Sequence, residues 1–196
     1  MAGKLEQQKQ EKKQNLLTAA LELFMENGVA KTSIDQIAGR AQVAKGTFYL
    51  YFHDKEDLLQ ELIYRISCHV LDEAYRAVDS RRTDDFIENV ILFADAIIEY
   101  FKRNRLQLRL IERNFSWPLV TRQMSARTDA IWQALIRDLQ ASPLARTHTG
   151  DEMFKLIFVI VEMCGSVCYS SIIEEKPDTI DNMKPVLYGI IRRALG

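Results

Sequence analysis

A chain of 196 residues is long enough to bury one or two hydrophobic cores. Its apolar content is ordinary, glycine and proline are few, and Leu, Ile, Ala, Glu, Lys and Arg are plentiful, which favours an all-helical fold. A net charge of −1 names no partner, and three cysteines (Cys68, Cys164 and Cys168) are too few and too scattered for a disulfide framework.

The charge is unevenly spread. Residues 1–55 hold eight Lys/Arg against six Asp/Glu, and residues 56–196 hold 18 against 21. That asymmetry permits a nucleic-acid partner at the N-terminal end and does not require one. The opening MAGKLEQQKQEKKQ lacks the apolar stretch of a secretory signal. The longest apolar run, Leu156 to Val161, stops at Glu162, far short of the roughly 18 residues of a membrane span. The expectation is a cytoplasmic, reduced protein with no membrane partner.

In chain order, residues 10–27 read as an amphipathic helix through Leu16, Leu17, Ala20, Leu21, Phe24 and Met25, ended by Asn27-Gly28. Thr32 and Ser33 open a short second helix, and Ser33 with Gln36 has the form of a capping box. Ile34, Ile37, Ala38 and Ala41 form its buried side. A third short helix is expected to run to about Phe52. Asp54 caps the next, with Glu56 and Asp57 in its first turn where the helix dipole favours negative charge. That helix reaches the late seventies and breaks at Ser80-Arg81-Arg82-Thr83. Phe86 to about Arg103 is amphipathic, and the basic segment KRNRLQLRLIER follows. Trp117-Pro118 starts a helix that runs to about Gln140, and ASPLARTHTG is the clearest loop. Met153 to about Ile173 is the most apolar helix, Pro177-Asp178 breaks it, and Ile180 to Leu195 closes the chain.

Three short helices within about 45 residues, the second and third joined by a tight turn, have the proportions of a helix-turn-helix unit. Its third helix is the reader of the major groove, where base pairs show distinct donor and acceptor patterns. Lys45 is placed to reach a guanine edge or a phosphate, and Gly46 lets backbone approach DNA closely. Thr47, Tyr49 and Tyr51 bring hydroxyls, and His53 lies at the helix end. Lys55, in the first turn of the next helix, suits a phosphate. Phe48 and Phe52, four apart, share a face assigned to the core. A helical core with surface tyrosines would carry much of the same pattern.

At these residues a resemblance is clear. TSIDQIAGRAQVAKGTFYLYFHDKEDLL resembles the DNA-binding signature of the tetracycline-repressor (TetR) family, and LLTAALELFMENGVAKTS is similar to that family's first helix and turn. The resemblance covers about residues 10–60, and the remainder agrees only in being helical and of suitable length. It implies a helix-turn-helix DNA-binding domain over residues 1–55 and a helical effector-binding and dimerisation domain over residues 56–196. It also implies a homodimeric transcription regulator, usually a repressor, released from a palindromic DNA operator by a small molecule. Ser33, Lys45, Gly46, Thr47, Tyr49, Tyr51 and Lys55 would then touch DNA. One departure stands out: the position before Lys45 is often Ser or Thr, and here it is Ala44, a lost helix cap worth about 1 kcal/mol.

By the same resemblance the last two helices form a dimer interface, to which Phe154, Phe158, Val161, Gly165, Cys168, Leu187 and Ile191 are assigned. A ligand cavity between the middle helices would draw on Phe93, Tyr100, Phe115, Trp117, Met124, Trp132 and Met163, since aromatic and Met side chains make adaptable apolar pockets. Arg109, four before Arg113, is the candidate for an anionic effector. Cys164 and Cys168, four apart, read as small buried hydrophobes, and Cys68 and His69 as structural. No H-E-x-x-H, P-loop, G-x-S-x-G or zinc-type spacing occurs, so neither an enzyme nor a metal or cofactor site is expected. Two other readings stay open: a DNA-binding regulator answering to a protein partner instead of a small molecule, and a helical ligand-binding protein with no DNA role.

Overall fold

The computed structural model describes residues 2–114, 122–123, 125–127 and 129–196, with side chains described there except at 2–5 and 112–114. All regular structure among them is helical: α1 (Ala2–Asn27), α2 (Ile34–Arg40), α3 (Lys45–Phe48), α4 (Lys55–Asp79), α5 (Phe86–Arg103), α6 (Arg105–Asn114), α7 (Ala130–Ala141), α8 (Gly150–Tyr169) and α9 (Ile180–Leu195). The all-α fold class expected from composition is the one observed. The chain divides into two compact units, Met1–Arg65 and Ile66–Gly196, so α4 begins in the first and continues into the second.

The first unit closes around Leu16, Leu17, Ala20 and Phe24 of α1, Ile37 and Ala38 of α2, Phe48, Phe52, and Leu58, Leu59, Leu62 and Ile63 of α4, all buried. α1 ends where Gly28, at φ 81°, takes a left-handed conformation and donates its N–H to the Phe24 carbonyl. The turn into α2 is held from inside. The buried Thr32 hydroxyl donates to the Gly28 carbonyl at 2.9 Å, and the Lys55 ammonium donates to the carbonyls of Val29 (2.7 Å) and Thr32 (2.9 Å). Arg40 ties α2 to α1 through Glu22 and Glu26.

α1 starts eight residues earlier than the apolar pattern suggests, because Lys, Glu and Gln sustain a helix without any buried stripe. α3 is shorter than expected. After Phe48 the backbone continues in a tight turn, with Leu50 N–H on the Thr47 carbonyl and Tyr51 and Phe52 N–H groups on the Phe48 carbonyl.

In the second unit, α5 begins at Asp85, whose carboxylate accepts from the N–H groups of Ile87 and Glu88. Ile91, Ile98 and Phe101 of α5, Leu108 and Ile111 of α6, Met153 and Ile160 of α8, and Leu187, Ile191 and Leu195 of α9 are buried. The basic segment after α5 is itself helical (α6), and the loop at residues 141–150 contains a 3-10 turn, Pro143–Arg146. α8 opens with a complete capping box between Thr149 and Glu152, and a wider turn over Ser170–Glu174 ends it. The expected helix start at Trp117-Pro118 lies outside the described residues.

α5 and α9 are stitched together by charge. Lys184 reaches Asp95 at 2.7 Å and also Glu99, the Tyr188 hydroxyl donates to Asp95 at 2.6 Å, Lys102 pairs with Asp181 at 2.7 Å, and Arg192 pairs with Glu88 at 2.8 Å.

Candidate nucleic-acid interface

The recognition turn is positioned by what lies beneath it. Phe48 is fully buried and Phe52 nearly so, and their rings lie 5.7 Å apart. The chain between and before them faces outward: Lys45, Gly46, Tyr49 and Leu50 are exposed, and Thr47 and Tyr51 are half-buried. Tyr49 is 52% and Leu50 78% exposed, high values for side chains with so much apolar area. The Tyr49 ring meets the Phe48 ring edge-on at 5.4 Å, which fixes its direction at the surface.

α2 supplies the frame. Ser33 caps it: its hydroxyl accepts the Gln36 N–H, and the Gln36 side chain accepts the Ser33 N–H at 2.8 Å. The Ala44 position of α3 has no side-chain cap, as its methyl group requires. Gln42, between α2 and α3, holds φ 56°, a left-handed conformation that reverses the chain.

The predicted contact residues differ in what they already hold. Lys45 pairs with Asp35, in the first turn of α2, at 2.9 Å; that hydrogen bond raises its pKa. Both groups are well exposed, so the pair yields readily to a stronger anion. Gly46 has ordinary helical geometry, and a Cβ built on it meets nothing within 4 Å. His53 is exposed beside Asp54, whose carboxylate accepts the Asp57 N–H at 2.8 Å and is thereby held below its usual pKa. Lys55 spends two of its three N–H donors on the carbonyls of Val29 and Thr32.

Sequence reasoning missed two features here. Leu50 stands at the surface of the turn, and the α1 extension faces it: Gln8, Lys9 and Lys12 line a groove of about 440 Å³ with Thr47, Leu50 and Tyr51. The signal for the second was the lysine-rich opening sequence.

Residues 16–62 match the model of the bacterial regulatory proteins of the tetR family. Over that segment the N-terminal unit is similar to the DNA-binding part of tetR-family regulators. The HTH-type transcriptional regulator AcrR of Shigella flexneri is 45% identical over 62 residues, 32% of this chain and 29% of that protein. The HTH-type transcriptional regulator YhgD of Bacillus subtilis is 31% identical over 104 residues, 53% of each. The aligned part thus spans about half or less of these curated relatives. The likeness of fold extends further. A crystal structure of a TetR-family transcription regulator from Marinobacter aquaeolei VT8 superposes with a TM-score of 0.68 at 19% identity, covering 97% of this chain and 98% of that one. The second unit of this chain therefore shares the helical C-terminal architecture found in tetR-family structures.

The other predicted residues fall in the second unit. Of the interface set, Phe154 is 45% exposed, Gly165 is exposed, and Phe158 and Val161 are half-buried. Cys168 of α8 is instead interior, and so are Leu187 and Ile191, because on α9 the apolar residues run round two adjacent sides. The exposed apolar residues beside Phe154 are Val159 (59%), Val186 (54%) and Ile190. The stretch Gly150–Glu174 is long and apolar enough, by length and composition, to cross a membrane, which the short run up to Glu162 had not suggested. Acidic groups at Asp151, Glu152 and Glu162 are exposed on it.

Of the pocket set, Tyr100 is buried with its hydroxyl on Gln107 at 2.6 Å, Phe93, Trp132 and Met163 are half-buried, and Arg109 is exposed. Phe115, Trp117 and Met124 lie outside the described residues. Burial pushes the Cys164 thiol to about 11 and the Cys168 thiol to about 12, which suits structural cysteines. Among the described residues no group of three His, Cys, Asp or Glu side chains could hold a metal ion.

Proposed function

We propose that this chain is a transcription regulator that binds a palindromic DNA operator as a homodimer and leaves it when a small apolar molecule binds residues 66–196, acting as a repressor. The observation that carries the reading is Gly46. A glycine inside a helical turn costs about 1 kcal/mol relative to alanine. Here no positive φ and no crowding within the chain calls for it. A use from outside the chain accounts for it, and a surface that approaches the backbone between Lys45 and Thr47 is what a helix in the major groove provides. The HTH-type regulators that share this segment support the same reading.

Dimerisation is supported by the apolar surface of α8 and α9. Phe154 and Val159 of α8 and Val186 and Ile190 of α9 are large apolar side chains left exposed, which a second copy would cover. Exposed Asp151, Glu152 and Glu162 favour a second copy over lipid as its cover. Two copies would set two recognition helices in successive major grooves, about 34 Å apart. Lys45, Thr47, Tyr49 and Tyr51 would contact bases and adjoining phosphates, with Ser33 and His53 at the margin.

The test is selection of bound sequences from a random duplex pool at physiological salt, with sedimentation of the free protein. The expected result is an inverted repeat with half-sites about one or more helical turns apart, bound by a dimer. Only weak, salt-sensitive binding without an enriched motif would overturn operator recognition.

A further inference from the structure

We propose that the N-terminal extension of α1 is a second DNA-contacting element, whose Lys9 and Lys12 hold the phosphodiester backbone beside the recognition turn. The inference rests on the DNA-binding reading above and extends it to residues that reading does not use.

α1 has two parts. From Leu16 onward it contributes Leu16, Leu17, Ala20 and Phe24 to the core. Before Leu16, the described side chains from Glu6 on are exposed, with Lys13 alone half-buried. A helical stretch that is polar all round and packs on so little has no reason to be kept by burial. Residues 1–15 hold four lysines against two glutamates, so the extension is basic within a chain of net charge −1.

The extension does not turn freely. The Lys13 ammonium lies 5.6 Å from the centre of the Phe52 ring and 3.6 Å from Glu61, and the Gln14 side chain accepts from Arg65 at 2.6 Å. These contacts fix the rotation of the helix about its axis. Lys12 and Lys9 then continue the inward stripe of Leu16 at spacings of four and seven residues, below the end of the core. Where the stripe would meet apolar partners it meets the recognition turn instead, and the two enclose a groove of about 440 Å³ lined by Gln8, Lys9, Lys12, Thr47, Leu50 and Tyr51. The neighbours of the lysines there are the Thr47 and Tyr51 side chains, which can add hydroxyl donors.

Charge and continuity select the occupant. Lys9 has only a distant contact with Glu6, 4.0 Å between two exposed groups, and Lys12 forms no ion pair among the described residues. Two ammonium groups and two hydroxyls make a site for an anion. A helix in a major groove about 12 Å wide has a phosphate backbone on either flank. With Thr47 and Tyr51 forming both one wall of the groove and part of the recognition turn, a backbone flanking that turn enters the groove. Such contacts position without reading bases, so they add affinity and salt dependence but no sequence preference.

The experiment uses the full chain and the duplex selected from the random pool. Binding is followed over a range of salt for the wild type, Lys9→Gln/Lys12→Gln and Lys9→Arg/Lys12→Arg, with thermal melting and sedimentation of each. Loss of two phosphate contacts per protomer should flatten the log–log salt slope by about two per bound protomer, and the arginine pair should restore it. The preferred sequence and the melting temperature should not move. An unchanged slope overturns the proposal, as does a change in oligomeric state, which would make the groove an interface between copies. If the wild type selects no motif, the DNA-binding reading itself has failed, and that is visible before any variant is compared.

Discussion

The Lys55 ammonium donates to the Val29 carbonyl at 2.7 Å, joining the first turn of α4 to the turn that follows α1. A second bond, to the Thr32 carbonyl, makes this side chain a brace for the helix-turn-helix. The place of Lys55 in the first turn of α4 suggests a phosphate partner, and the two carbonyl bonds give it a structural role as well. Lys55→Met keeps the stem and removes the donor, leaving the carbonyl of buried Thr32 without it. The expected loss is about 1–2 kcal/mol in a denaturant melt. An unchanged midpoint would return Lys55 to a purely external role.

Gly46→Ala separates folding from recognition. A methyl group there meets open space and improves helix propensity, so the free protein should be as stable or more stable by about 0.5–1 kcal/mol. Operator affinity should fall at least tenfold, since the methyl group occupies space between backbone and DNA. A variant that binds as tightly as the wild type would remove the main support for a close approach at this turn.

Much of this was legible in the sequence where one local signal decides. Ser33 and Gln36 form the capping box their spacing announces, α5 runs Phe86–Arg103 behind its Asp85 cap, and α9 runs Ile180–Leu195. Reading failed where several answers share one pattern. On α9, Val186 and Ile190 are as apolar as Leu187 and Ile191, and period alone does not say which pair is inside. Residues 2–9 carry no apolar stripe, so only propensity hints that α1 includes them. The bonds from Lys55 to Val29 and from Lys184 to Asp95 join residues far apart in the chain, and no local pattern encodes them.

The cysteines of α8 should be poor nucleophiles. Cys168 is buried and Cys164 half-buried, and burial pushes both thiols to about 12 and about 11. At pH 8 only a minute fraction of either is thiolate. Timed labelling of the native protein with a disulfide reagent should therefore modify Cys68 first, with Cys164 and Cys168 reacting at the rate of the fully denatured chain only after unfolding. Fast modification of Cys168 in the native state would mean that α8 opens far more readily than its packing implies.

Lys184 gives the second unit a pH-dependent component of stability. Only 16% of its side chain is exposed, and it lies against two carboxylates of α5. The Lys184 hydrogen bond lowers the pKa of Glu99; for Asp95, burial acts upward, but the Lys184 and Tyr188 hydrogen bonds outweigh it. Both carboxyls thus titrate lower folded than unfolded, and on acidification the unfolded chain takes up protons first. The stabilisation is complete at neutral pH and disappears as pH falls below about 4, through the folded values. Lys184→Met should cost about 1 kcal/mol at pH 7, because the partly buried Asp95 loses its lysine while Glu99 keeps Lys102 at 3.0 Å. The gap between variant and wild-type melting temperatures should then close as pH falls through that window. A gap that stays constant down to pH 3 would show that Lys184 acts by packing its stem, not by its charge.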